Sequence, residues 1–254
     1  MIKIAKKSLF LDVRKRALIY LATVLVLSLL STFIPQTEYY ITKKENVFNQ
    51  FGTKLGWLWT CAAVAPFILT TSFSHHGSYL KAARESTRLV IATFFWNFCT
   101  HAFMRIDHHT GMCLGTTNAT SYSCADEGGS WIPGFDISGH TFLLIYSSLI
   151  ISEEAKVFYN WPAAPRATTK HIPSVTEYEN FKKLSKWIQY WFVGLFLLQL
   201  FWDFQLMVTV LYYHTLLSKF MGAVIAVMCW YSTYYLWFPL AFPFKPIRRH
   251  IKSF

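Results

Sequence analysis

Long uncharged apolar runs, separated by short polar and basic stretches, dominate this chain. Residues 17–34 give 18 positions without a charge, residues 55–73 give 19 and residues 220–244 give 25. As helices rising about 1.5 Å per residue, each can cross roughly 30 Å of hydrocarbon. Three further runs, starting at Leu89, Ile137 and Trp187, hold only 16 residues each. These need their flanks, a thinned bilayer or burial among neighbouring helices. The pattern predicts an all-α, polytopic helical membrane protein: one integral membrane domain over residues 1–254. Its six spans fall at about 17–34, 55–73, 89–106, 137–152, 187–211 and 220–242, with a long loop at 107–139. The chain shows no internal repeat, which argues against a two-halved transporter.

Composition agrees: 54% of residues are hydrophobic, 19% aromatic and only 15% charged, and the mean hydropathy is +0.30, outside the usual range of soluble domains. Six spans would put the N-terminus, residues 74–88, residues 153–186 and the C-terminus on one side. That side carries 19 of the 24 lysines and arginines; Lys43, Lys44, Lys54, Arg105 and Lys219 fall on the other. The positive-inside rule therefore predicts both termini in the cytosol. The net charge of +11 then belongs to membrane margins, where anionic lipid headgroups are the partner and nucleic acid is not. The first apolar run is long for a signal peptide and has no small-x-small cleavage site, so it reads as an uncleaved span.

Five cysteines do not make a disulfide framework. Cys61, Cys99 and Cys229 fall within spans and read as buried thiols. Cys113 and Cys124 share the 107–139 loop and are a candidate disulfide. Between them Asn118-Ala-Thr120 is a glycosylation sequon. Sequon, cysteine pair and charge rule all select an oxidising lumen, most simply that of the endoplasmic reticulum.

Polar groups within spans are costly and need a partner or a role. Asn97, His101, Arg105 and His108 lie on one helical stripe of the third span. Gln199, Asp203 and His214 share a face of the fifth, with Asp203 and His214 roughly 16 Å apart along it. These read first as a seam of interhelical hydrogen bonds, with Asp203 placed to meet Arg105, His101 or a headgroup. His140 and His214 read differently, because both sit in polar contexts at the luminal ends of apolar runs. Asp136-Ile-Ser138-Gly139-His140 opens the fourth span. Ser138 resembles an N-cap, and free backbone N–H groups beside Gly139 and His140 suit a phosphate. Two imidazoles beside such a turn have the parts for phosphoryl transfer. His101, His108 and His109 also lie on the luminal half, but no HExxH or CxxC spacing accompanies them, so neither a metal nor a cofactor is expected.

Several of these segments resemble one family. Thr110-Gly-Met-Cys113, Cys124 with Gly128-Gly-Ser-Trp131, and Gly134-Phe-Asp-Ile-Ser-Gly-His140-Thr-Phe-Leu-Leu144 are similar to the signature of the fat storage-inducing transmembrane family. Tyr213-His214 through Lys219 and Gly222, then Trp230-Tyr-Ser-Thr-Tyr234, resemble its second block. The resemblance spans roughly residues 90 to 240 and implies a protein of the endoplasmic reticulum needed for lipid droplet formation. The family is related to lipid phosphate phosphatases, and the resemblance implies hydrolysis of fatty acyl-CoA at its diphosphate. The products are acyl 4′-phosphopantetheine and adenosine 3′,5′-bisphosphate. By the same resemblance His214 is the nucleophile and His140 the general acid.

The chain departs from the wider phosphatase pattern at its cations. Lys81 and Arg88 keep the six-residue gap of a first phosphatase motif, but Leu89 replaces the proline and the segment is predicted cytosolic. No arginine shortly precedes His214 and no aspartate stands four residues after it. Lys219, Arg105 and His108 are the luminal candidates for neutralising phosphate charge, with Ser138 and Gly139 as further phosphate contacts and Asp136 and Asp203 in support. The competing reading is a non-catalytic protein that binds diacylglycerol or triacylglycerol, using the aromatic last span.

Overall fold

The computed structural model describes residues 1–33, 40, 46–115, 123, 124, 126, 128–159, 161 and 175–240. Helix α1 (Ile2–Leu9) leads into α2 (Val13–Ser31), whose first turn is capped by the Asp12 carboxylate accepting from the N–H groups of Arg14 and Lys15. A π-helical turn, Phe48–Thr53, precedes α3 (Gly56–His76), which Gly77 ends in the left-handed conformation at φ 61°. Helix α4 (Tyr79–Thr110) runs into a two-stranded antiparallel hairpin, β1 (Met112–Leu114) and β2 (Ser130–Ile132), with Cys113 opposite Trp131. Then come α5 (Gly139–Ala155), α6 (Val175–Tyr212) and α7 (Leu216–Tyr231). A second π-helical turn, Ser232–Trp237, carries α7 into α8 (Phe238–Leu240).

Among the described residues, four helices are long and apolar enough to cross a membrane: Gly56–Ser74, Tyr79–Thr110, Phe181–Tyr212 and Leu216–Trp237. The first and fourth predicted spans correspond to α2 and α5, of 19 and 17 residues. Helix α5 is the centre of the bundle. Every residue from Thr141 to Ser152 is buried, and α2, α3, α4, α6 and α7 all pack on it. Burial among neighbours is thus how this short run is accommodated. Its Leu144, Ile145, Tyr146 and Leu149 are essentially inaccessible, and truncating one such leucine to alanine costs about 2–5 kcal/mol. Helix α4 begins ahead of position 89 and continues to Thr110, so the loop is shorter than 107–139. Helix α6 likewise begins well before 187.

At one end of the bundle the last turns of α2, α4 and α6 meet the first turns of α5 and α7. Lys219 reaches Ser31 at 3.5 Å, the Phe135 N–H donates to Thr110 Oγ1 at 2.7 Å, and Ser138 N–H donates to the Ser218 carbonyl at 3.2 Å. The opposite end gathers cations. Arg88 makes a bidentate pair with Glu154 at 3.0 and 2.8 Å, and Tyr234 donates to the same carboxylate at 2.8 Å. Lys6 donates to the Trp161 carbonyl at 2.7 Å, and Arg14 lies 4.7 Å over the Tyr235 ring.

Candidate active site

The site begins with a helix cap. Ser138 is fully buried, and its hydroxyl accepts from Thr141 N–H at the start of α5. Its own N–H is tied to α7 through Ser218, and the Ser218 hydroxyl donates back to the Asp136 carbonyl. Gly222 permits this contact between α7 and the turn: a Cβ there would stand 2.5 Å from the Ser138 carbonyl oxygen. At Gly139 the same construction meets nothing within 4 Å, which leaves the backbone before His140 open to a ligand.

His214 arrives from the turn between α6 and α7. Its backbone is left-handed, with φ 58°, the one non-glycine residue with positive φ among those described. Such a conformation is uncommon outside glycine, asparagine, aspartate and histidine, and it concentrates at functional sites. Thr215 caps α7 immediately afterwards by accepting from Ser218 N–H. The strained turn brings the His214 ring centroid to 6.3 Å from that of His140. Asp136 Oδ2 sits 2.8 Å from His214 Nδ1. That bond fixes the neutral ring as the Nδ1–H tautomer and leaves the Nε2 lone pair free to attack.

His140 also lines a narrow crevice with Asn46, Asn49, Thr53, Gln205, Val208, Thr209 and Tyr213. Gln205 Nε2 clamps the π-helical turn to α6, donating to the Phe48 carbonyl at 2.8 Å and to Thr53 Oγ1 at 3.1 Å. Lys54 follows Thr53. Its ammonium donates to Gln50 at 2.9 Å. The residues missing from the sequence reading are therefore this polar wall and its lysine. Their signal was present in the uncharged polar stretch just before the second span and in Gln205 and Thr209, one turn apart on α6.

The expected phosphate cations are placed elsewhere. Lys219 is buried, with its ammonium donating to the Val210 carbonyl at 2.7 Å; it caps the end of α6. Arg105 and His108 occupy the exposed face of α4, while Cys99 and Phe103 on another face are buried and Phe103 packs edge-on against Phe142 at 5.3 Å. Asp203 belongs to a knot with Tyr20 at 2.6 Å and Gln199 at 3.1 Å, which is the interhelical seam rather than support for the histidines. Arg88, the candidate first-motif residue, holds Glu154, roughly 21 Å along α5 from His140. It is at the far end of the bundle.

Cys113 and Cys124 form a disulfide. Cys61, Cys99 and Cys229 are free, with the last two sulfurs 3.6 Å apart. Asn118 lies outside the described residues. Among those described, no group of three or more His, Cys, Asp or Glu is placed to hold a metal ion.

Helical spans around a carboxylate-oriented imidazole, a second imidazole and a capped helix N-terminus define a multi-pass membrane protein with a candidate site for phosphoryl transfer. Comparison with known proteins makes the assignment specific. The sequence profile of the fat storage-inducing transmembrane protein family matches residues 37–108 and 106–234, and the chain belongs to that family. It is 39% identical over 252 residues to the acyl-coenzyme A diphosphatase FITM2 of Caenorhabditis elegans, covering 98% of this chain and 88% of the relative. The human protein of that name is 32% identical over 87% of this chain and 81% of its own. The Drosophila melanogaster one is 34% identical over 94% of this chain and 61% of its own length. No solved structure matches.

Proposed function

We propose that the protein is a fatty acyl-CoA diphosphatase that cleaves acyl-CoA to acyl 4′-phosphopantetheine and adenosine 3′,5′-bisphosphate. The observation that carries this reading is the His140–His214 pair at 6.3 Å with Asp136 on the outer nitrogen of His214. Relatives at 32–39% identity bear the name acyl-coenzyme A diphosphatase.

In the mechanism, His214 Nε2 attacks one phosphorus of the diphosphate. The N–P bond forms as the bridging P–O bond breaks, and His140, protonated once the anionic diphosphate is bound, gives its proton to the leaving oxygen. Neutral His140 then takes a proton from water, which attacks the phosphohistidine and releases the second product. One water is consumed and both histidines return to their starting states. Asp136 keeps the Nδ1 proton of His214 in place throughout and offsets the charge of the phosphorylated ring. The open N–H groups at Gly139 and His140, with the polar wall from Asn46 to Lys54, hold the equatorial oxygens.

The site opens, in this reading, to the lumen of the endoplasmic reticulum, in a six-span protein with both termini cytosolic. The alternation of helix ends and the cations collected at the opposite end support that topology. The activity would serve lipid droplet formation and membrane lipid homeostasis, with diacylglycerol and triacylglycerol as lipid partners, and Asn118 would be glycosylated.

The test is hydrolysis of oleoyl-CoA by purified protein in detergent, with products identified by mass. Acyl phosphopantetheine from wild type, and none from His140→Ala or His214→Ala that elute as folded protein, is the expected result. Equal product from all three would overturn the reading.

A further inference from the structure

Arg105 and His108, the α4 residues named for phosphate binding from the sequence, line a cleft on the outer face of that helix. His101, Met104, Arg105, His108 and His109, with Gly111 and Trp131 from the turn and hairpin that follow, line an open cleft of about 520 Å³. The face of α4 that packs in the bundle carries Ala92, Cys99 and Phe103, so this cleft lies on the other side of the helix.

The cleft has one fixed wall. Trp131 packs against Gly111, where a Cβ would be 2.5 Å from the indole, and its ring stands 5.9 Å from that of His108. Its register partner Cys113 is locked to Cys124, so the disulfide pins the hairpin that carries the tryptophan. Arg105 supplies a permanent charge. His101 has Nδ1 at 2.9 Å from the Asn97 carbonyl, which leaves Nε2 for a ligand. Asp107, the one carboxylate in this stretch of α4, is not among the lining residues.

Directly along the same stripe, toward the middle of the helix, the character changes. Val90, Phe94 and Phe98 are 67%, 63% and 62% exposed, each one turn from the next, and the row continues one turn on to His101 and another to Arg105. Phe94 and Phe98 stack at 6.3 Å. A cationic, hydrogen-bonding cleft at one end of an exposed apolar stripe on a membrane helix complements an amphiphile with a phosphate head and hydrocarbon tails.

We infer that this face of α4 is a binding site for an anionic glycerophospholipid, its phosphate held by Arg105 and His101 against Trp131 and its acyl chains lying along Phe98, Phe94 and Val90. The site is separate from the histidine pair and does not depend on the diphosphatase reading.

Native mass spectrometry of the purified full chain in detergent tests it, with dioleoyl phosphatidate, dioleoyl phosphatidylcholine and inorganic phosphate as probes. One phosphatidate per chain is expected, bound at least tenfold more tightly than phosphatidylcholine. Arg105→Ala should lower its occupancy at least tenfold and Phe98→Ala several-fold, while His214→Ala holds it as wild type does. Equal binding of phosphatidylcholine, unchanged binding in Arg105→Ala, or displacement of the lipid by inorganic phosphate would overturn the proposal. So would loss of the lipid in His214→Ala with retention in Arg105→Ala, which would move it to the histidine pair. Gel filtration of each variant separates lost binding from lost fold.

Discussion

His214 and Asp136 are joined across 2.8 Å, linking the turn between α6 and α7 to the loop that leads into α5. The wider phosphatase pattern places an aspartate shortly after its histidine on the same segment; here Ser218 and Lys219 stand in that region. The carboxylate instead reaches the imidazole from another part of the chain. The chemistry needs a carboxylate on the outer nitrogen and is indifferent to the segment that brings it.

Asp136→Asn should therefore lower kcat for oleoyl-CoA hydrolysis by about 10²- to 10⁴-fold, because the amide no longer fixes the tautomer or offsets ring charge. The Asp136 side chain is 54% exposed, so the melting temperature in detergent should move little. A kcat within a factor of three of wild type would remove Asp136 from the mechanism.

Lys54 adjoins the polar wall that lines the crevice beside His140, and a charged hydrogen bond to phosphate is worth about 1.5–3 kcal/mol. Lys54→Ala should lower kcat/KM by roughly ten- to a hundredfold, mostly through KM, with Lys54→Arg retaining more activity than Lys54→Ala. Steady-state kinetics on the two variants would decide it. No change in kcat/KM for Lys54→Ala would leave the uncharged wall and the α5 N-terminus to hold the phosphate alone.

These two residues also mark how far the sequence could be read. The all-α membrane character was legible because the length of an uncharged run is a property of the sequence itself. The Ser138 cap and both histidines were legible because capping and turn chemistry are local. The direction of a helical face is not. Asn97, His101, Arg105 and His108 do share a stripe, yet periodicity cannot say whether a stripe faces the bundle or its surroundings, and this one is largely exposed. Lys219 was misassigned for a similar reason: its neighbours in sequence are site residues, but its long side chain turns back to cap α6. The Asp136 contact and the wall at residues 46–54 depend on which segments the fold brings together.

Gly222 should tolerate no side chain. A Cβ at 2.5 Å from the Ser138 carbonyl meets backbone, so either α7 or the turn holding His140 must move. Gly222→Ala should cost about 1–3 kcal/mol of stability. It should also cut kcat by up to about a hundredfold, since a 1 Å displacement of a reacting group costs that much. Thermal melting and turnover measured on the same preparation check both effects. Wild-type values for each would show that the close approach is not required.

Arg88 tests whether the remote end of the bundle takes part in the chemistry. Its guanidinium is 3% exposed and paired bidentately with Glu154, which is 4% exposed. Removing one partner strands a buried charge, so Arg88→Ala should destabilise the protein by about 3–5 kcal/mol. Tyr234 donates to the same carboxylate, so the loss would spread to the last span as well. The histidine pair lies roughly 21 Å away along α5, and turnover per folded molecule should stay near wild type at temperatures where the variant remains folded. The opposite pattern, an unchanged melting temperature with lost turnover, would mean that Arg88 acts on the substrate as the arginine of a first phosphatase motif does. That outcome would require the two ends of the bundle to communicate, because the static geometry places Arg88 beyond reach of any phosphate held at His140.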